Sequence, residues 1–207
     1  DRWSDSFSYN RGKVLGFEEL EKLDSYGRYL DSDNDGICYR TYPGTHPEKG
    51  AYFTRGTSHD EYARYTEDGN INAETLMRLM RKFRTASELV PPPIIEINGE
   101  DSCGIIYYGS SKPAVLEAKD ILKTKDINVD LMQIRSFPFN LDVWEFIANH
   151  DRIYVVEQNR DSQMRTLIMA EGGISAEILR PLVHFTGDPI EASYTVSYTH
   201  LRAHETA

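Results

Sequence analysis

Pro91, Pro92 and Pro93 stand in an unbroken run near the middle of the chain. Proline lacks a backbone N–H and fixes φ near −65°, so no helix continues across such a run and no central strand contains it. Three in succession stiffen the backbone into an extended connector. The chain is therefore read as two parts, residues 1–90 and 91–195, with the stretch 196–207 set apart. Its 207 residues suffice for one solid core, or for one core and a smaller appended unit.

Beyond the prolines the pattern is regular. Ile94 to Ile97, Gly104 to Tyr108, Val129 to Ile134 and Ile153 to Val156 read as strands. The last is fully apolar, as expected where both faces of a parallel sheet are covered. Between them lie helical patterns: Val115, Ala118 and Leu122 share one face, and Leu141, Trp144, Ile147 and Ala148 another, while Met164, Leu167 and Ile168 follow the fourth strand. Strands alternating with helices of about ten residues predict an α/β domain with a small, mainly parallel sheet and flanking helices.

The first part reads otherwise. Residues 1–71 are rich in Tyr, Asp, Gly and Arg with little periodicity, which suggests irregular structure shaped around something else. Leu76, Leu79, Met80 and Phe83 then recur at helical spacing, so an amphipathic helix is predicted from Asn72, as N-cap, to about Ser87. The final run VSYTHLRAHETA shows no apolar periodicity and is read as a non-native tail. His200 and His204 in it have metal-like i, i+4 spacing, but no acid lies between them and no metal site is read there.

Composition limits the functions available. A 40% hydrophobic and 27% charged content is that of a globular chain. No apolar run is long enough for a transmembrane helix, and no basic, apolar and small-residue leader opens the sequence, so a soluble, cytoplasmic protein with no membrane partner is expected. A net charge of −10 argues against nucleic acid, whose affinity comes from clustered Lys and Arg. Cys38 and Cys103 are the two cysteines, half of what an iron–sulfur cluster ordinarily takes, so no metal site is expected on this chain and both are read as reduced thiols.

Three segments could carry chemistry. Asp31, Asp33, Asp35 and Gly36 imitate the opening of a calcium loop, but the twelfth position is Tyr42 where the pattern needs a bidentate Glu, so a tight turn with side chains bonded to its own backbone is favoured. The loops YRTYPGT and YFTRGTSHDE combine arginines and hydroxyls with Gly and Pro. Arginine's planar fork suits a carboxylate, hydroxyls can complete the anion's shell, and Arg40, Thr45, Thr54, Arg55 and Thr57 are the candidate substrate-binding residues. Turn formation and surface ion pairing would explain the same residues. Finally, Glu157, Gln158 and Asn159 follow a buried strand on the sheet edge where α/β ligands gather. They are read as a domain edge or subunit interface, with helix capping as the plainer explanation. No phosphate loop, nucleophile elbow or zinc-binding helix is present, so no catalytic residue is assigned.

Taken in order, GICYRTYPGT, AYFTRGTSHDEYARYTED, the helix ending RKFRTA, the VPPP connector, GIIYYGSS, LMQIRSFPF and VVEQNRDSQMR resemble the alpha subunit of the 2-oxoacid:acceptor (ferredoxin) oxidoreductases over residues 11–192, most of all those acting on 2-oxoglutarate. The resemblance implies a C-terminal fragment. Residues 1–90 would end a thiamine-pyrimidine-side domain, and 91–195 would form a domain like the transketolase C-terminal one. It further implies oxidative decarboxylation of a 2-oxoacid with coenzyme A to an acyl-CoA and carbon dioxide, with ferredoxin reduced. Thiamine diphosphate and the iron–sulfur cluster would sit mainly on a beta subunit, and Arg40 would bind the oxoacid carboxylate. The fragment is not expected to be active alone. A C-terminal domain of a transketolase or 2-oxoacid dehydrogenase, or a non-catalytic interaction module, remains an alternative on fold alone.

Overall fold

The computed structural model describes residues 6, 8–54, 58–99 and 103–203, with residues 199–203 described by backbone alone. Its contacts divide it into two units, residues 1–86 and 87–207.

The first unit has little regular structure. A short helix, α1 (Phe17–Glu21), buries Leu20 completely. Lys49 fastens its C-terminal end, where Nζ lies 3.2 Å from the carbonyl of Leu20 and 2.8 Å from that of Leu23. His46 fastens the same loop from the other side. Its Nδ1 accepts the N–H groups of Glu48 and Lys49, so the proton sits on Nε2, which donates to Glu21 at 2.8 Å.

The long helix α2 (Gly69–Leu89) starts three residues before the predicted Asn72. Asp68 is the residue that caps it, because Oδ1 accepts the Asn70 N–H at 2.8 Å, while the Asn72 amide oxygen accepts from the Ser58 hydroxyl at 3.2 Å. The amphipathic pattern is there, but its polar face makes the contacts. Arg81 pairs with Asp31 at 3.0 Å, Arg78 donates to the carbonyl of Gly36 at 3.0 Å, and the Thr85 hydroxyl donates to the carbonyl of Asp35 at 2.6 Å. On the apolar face Leu76, Met80 and Phe83 are each more than half exposed, and α2 has no buried residue.

The second unit is the expected α/β domain. It contains β1 (Ile94–Glu96), β2 (Cys103–Tyr107), α3 (Lys112–Lys123), β3 (Val129–Gln133), α4 (Leu141–Ala148), β4 (Ile153–Glu157), α5 (Gln163–Gly172), β5 (Leu179–Val183) and α6 (Ala192–Ala203). The strand order is β1-β3-β2-β4-β5, parallel except for β1, which runs antiparallel along the β3 edge. Side chains alternate across the sheet with the period of two that a strand imposes. Ile105, Leu131, Val156 and Leu182 face a core with Val115, Ala118 and Leu122 of α3 and Val196 of α6. On the other side Ile106, Met132 and Val155 face a core with Val143, Phe146 and Ile147 of α4 and Ile168 of α5. Gly104 of β2 permits this closeness, since a Cβ there would stand 3.0 Å from both Ile153 and Phe146.

α6 runs through residue 196 without a break, and Val196 fills a core position. No helix among the described residues is long and apolar enough to cross a membrane. Both thiols are free, and burial pushes them up, that of Cys103 to about 11.

Candidate functional site

The Arg40 loop is built by two fastenings. Thr41, next in the chain, is buried, and its hydroxyl donates to the carbonyl of Gly50. Arg40 itself is bridged to the segment that precedes α1: its N–H donates to Lys13 at 2.9 Å, and its carbonyl accepts from Leu15 at 2.9 Å. The Lys13 side chain then reaches Asp33 at 2.6 Å and Asp35 at 2.7 Å. Burial acts to lower the Lys13 pKa, but the hydrogen bonds of the two carboxylates outweigh it and raise the value overall. The same bonds hold both aspartates below the usual carboxylate range, so this clamp is charged at neutral pH.

The Asp31 to Gly36 turn is thus committed to the chain itself. Asp31 Oδ1 accepts the Gly36 N–H at 2.9 Å, and Asp35 Oδ1 accepts the Ile37 N–H at 2.8 Å, the side-chain-to-backbone bonding of a tight turn. Asp31 Oδ2 meets Arg81, and Oδ2 of Asp33 and of Asp35 each meet Lys13.

Arg40 is different. Among the described residues no carboxylate pairs with its guanidinium, which donates to the carbonyl of Arg11 at 2.6 Å and lies 5.9 Å from the ring of Tyr42. Arg11 lies beside it, equally without an acidic partner among the described residues. Its Nη1 is 3.4 Å from the Tyr42 hydroxyl, and its other terminal nitrogen donates to the hydroxyl of Tyr9. Two cationic side chains therefore converge on one phenol without a carboxylate partner among the described residues, in a chain of net charge −10.

Thr45 closes the turn after Arg40, its N–H donating to Tyr42 at 3.2 Å around Gly44, whose φ of +80° suits glycine. Thr54 is half-buried on the following loop. Arg55 and Thr57 lie outside the described residues. Sequence reading passed over Arg11, although the run Asn10-Arg11-Gly12-Lys13 places two cations around a glycine in an acidic chain.

The sheet edge proves to be tightly organised. Glu157 is wholly buried, and its carboxylate accepts the N–H groups of Met164 at 2.8 Å and Arg165 at 2.9 Å, with the Asn159 amide at 2.8 Å. It caps α5 from the preceding strand. Asn159 completes the cap by accepting from Gln163 at 3.2 Å, and Gln158 ties the edge to Ser110 at 3.0 Å. Burial, with the Glu157 charge beside it, pushes the Tyr108 phenol up. Replacing Glu157 by Ala should cost about 3 kcal/mol, because buried N–H groups left without an acceptor cost about 1–3 kcal/mol each. Urea unfolding of the purified chain would measure it, and a loss below about 0.5 kcal/mol, the scale of an ordinary surface change, would show that the cap is unimportant.

The donor chemistry does not suit the groups that the family resemblance implies. No set of three or more metal-ligating side chains occurs among the described residues, and the two cysteines belong to different units. A cleft of about 590 Å³ in the first unit is lined by Asp31, Asp60, Glu61 and Glu74, and its arginines, Arg78 and Arg81, are bonded to Gly36 and Asp31. Such a wall repels a diphosphate.

No family model matches the chain. It is 28% identical over 186 residues to 2-oxoacid:ferredoxin oxidoreductase 2, subunit alpha, of Aeropyrum pernix, a match covering 87% of this chain and 27% of that protein. It is also 28% identical over 124 residues to the 2-oxoacid:ferredoxin oxidoreductase subunit alpha of Saccharolobus solfataricus, covering 58% of this chain and 20% of that protein. The chain is similar to these alpha subunits. An alpha-subunit-like chain of this size spans about a quarter of the length of the curated relatives it matches. Its fold is shared with the 2-oxoglutarate:ferredoxin oxidoreductase from Magnetococcus marinus, solved with 2-oxoglutarate, coenzyme A and succinyl-CoA bound. There the TM-score is 0.76 at 22% identity, over 87% of this chain and 31% of the other.

Proposed function

We propose that this chain is part of the alpha subunit of an enzyme that oxidatively decarboxylates a 2-oxoacid, 2-oxoglutarate foremost, with coenzyme A. The products are an acyl-CoA and carbon dioxide, and the two electrons released pass to ferredoxin. Arg40 binds the oxoacid carboxylate, and Thr45, Thr54, Arg55 and Thr57 are further candidates for substrate binding. The observation that carries the reading is an arginine with no acidic partner among the described residues, held by its backbone in a segment that resembles the alpha subunits.

The rest of the active site belongs to polypeptide outside this chain, chiefly a beta subunit carrying thiamine diphosphate and the iron–sulfur cluster. Two features support that division. The acidic cleft and the separated cysteines suit neither group, and the exposed Leu76, Met80 and Phe83 present an apolar stripe of the sort that a neighbouring polypeptide covers. Thiamine diphosphate, when bound to its partner subunit, supplies the carbanion chemistry, and this chain supplies substrate positioning. Glu157, Gln158 and Asn159 shape the domain edge that faces a neighbouring subunit.

A complete alpha subunit purified with its beta subunit should reduce a viologen dye only when both a 2-oxoacid and coenzyme A are present. The 207-residue chain alone should neither do so nor bind thiamine diphosphate. Turnover by the chain alone, or a complex indifferent to 2-oxoacids, would overturn the reading.

A further inference from the structure

The geometry points to Arg11 as a second anion-binding residue, one that contacts an acidic group at the far end of the substrate and so selects doubly charged 2-oxoacids over singly charged ones. This rests on the assignment of Arg40 to the oxoacid carboxylate.

Two like charges brought onto one side chain repel each other, and folded chains ordinarily relieve that with a nearby carboxylate. Among the described residues that relief is missing. Arg11 and Arg40 both meet Tyr42, at 3.4 Å from its hydroxyl and 5.9 Å from its ring, and every other polar partner recorded for the two guanidinium groups is neutral. Asp33 and Asp35 hold Lys13, the cation two residues after Arg11. Among the described residues Arg40 uses one of its five N–H donors and Arg11 two, which leaves donors on each for an incoming anion.

The pair is also placed with some rigidity. The bridge that fixes Arg40 to Lys13 and Leu15 is part of the same segment that carries Arg11, and the bond from the Arg40 guanidinium to the Arg11 carbonyl spans from one arginine to the backbone of the other. The Lys13 clamp fastens that segment to the Asp31 to Gly36 turn. Two forks on a fastened backbone suit a ligand with two carboxylates better than one with a single charge, because each carboxylate can take a paired, charge-assisted set of hydrogen bonds. Arg11 is exposed, so removing it opens no cavity in the core.

The test uses the complete alpha and beta complex carrying Arg11→Gln. Its kcat/KM for 2-oxoglutarate should fall about tenfold or more, the range expected for a lost hydrogen bond to a charged group. For 2-oxobutyrate, which lacks the second carboxylate, kcat/KM should stay within about twofold; where 2-oxobutyrate is not turned over, its inhibition constant serves instead. Arg40→Lys, by contrast, should weaken both oxoacids. Equal effects of Arg11→Gln on both, no effect on either, or a rise confined to the KM for coenzyme A would each overturn the assignment of Arg11. If Arg40→Lys weakens both oxoacids while Arg11→Gln does not discriminate, only Arg11 is misassigned. If Arg40→Lys also leaves both unchanged, the reading of Arg40 fails with it.

Discussion

Alanine in place of Gly36 should destabilise the first unit by about 3–4 kcal/mol. Two costs add at this position. Its φ of +80° is open to glycine, while a residue with a Cβ pays about 1–2 kcal/mol there. The added Cβ would also stand 2.2 Å from the Lys82 nitrogen, 2.6 Å from the Lys82 Cα and 2.8 Å from the Arg78 carbonyl oxygen. Those atoms are backbone of a 21-residue helix and cannot turn aside as a flexible side chain would, so overpacking adds about 1–3 kcal/mol. The bonds of Arg78 and Thr85 to this turn would be strained with it. Thermal and urea unfolding should register the loss in the first unit. A change below about 1 kcal/mol would mean that the turn and α2 do not lie as close as described.

Arg40→Ala should lower kcat/KM for the oxoacid by about a hundredfold in the assembled enzyme. A hydrogen bond to a charged group contributes about 1.5–3 kcal/mol, and a paired fork lies at the upper end of that range. Stability should barely respond. Among the described residues the guanidinium makes one hydrogen bond, to the Arg11 carbonyl, and its contact with Tyr42 is a cation over a partly exposed ring, while the backbone bridge to Lys13 and Leu15 needs no side chain. A melting temperature within a few degrees of the parent's, together with the large kinetic loss, separates a binding role from a structural one. A melting temperature that falls while the kinetics hold would reverse the assignment.

The α/β domain was legible in the sequence because its core follows simple periods. The fully apolar run at Ile153 to Val156 and the helical faces of Val115, Ala118 and Leu122 leave few other ways to bury themselves. β5 was not, since Pro181 interrupts its pattern, and an edge strand tolerates the proline because one of its sides needs no partner. α6 was missed for a related reason: Ala192 and Val196 pack, but the polar and aromatic residues between them mask the period. The start of α2 slipped by a turn because Asp68 and Asn72 are both good caps, and the choice between them depends on Ser58, fourteen residues away.

At the site, Arg40 could be singled out from its loop, but its pairing with Arg11 could not. The two lie 29 residues apart and meet through a single backbone bridge, which leaves no spacing rule to read. The acidic turn shows the converse. Its carboxylates look available to a cation in the sequence, and the fold delivers Lys13 and Arg81 to them from distant segments.

The most direct test is a pair of Michaelis constants in the assembled enzyme carrying Arg40→Lys. Lysine keeps the charge but loses the fork. The KM for the oxoacid should rise about tenfold or more while that for coenzyme A stays unchanged. A rise shared equally by the two, or an oxoacid KM that does not move, would contradict the placement of the substrate carboxylate on this loop.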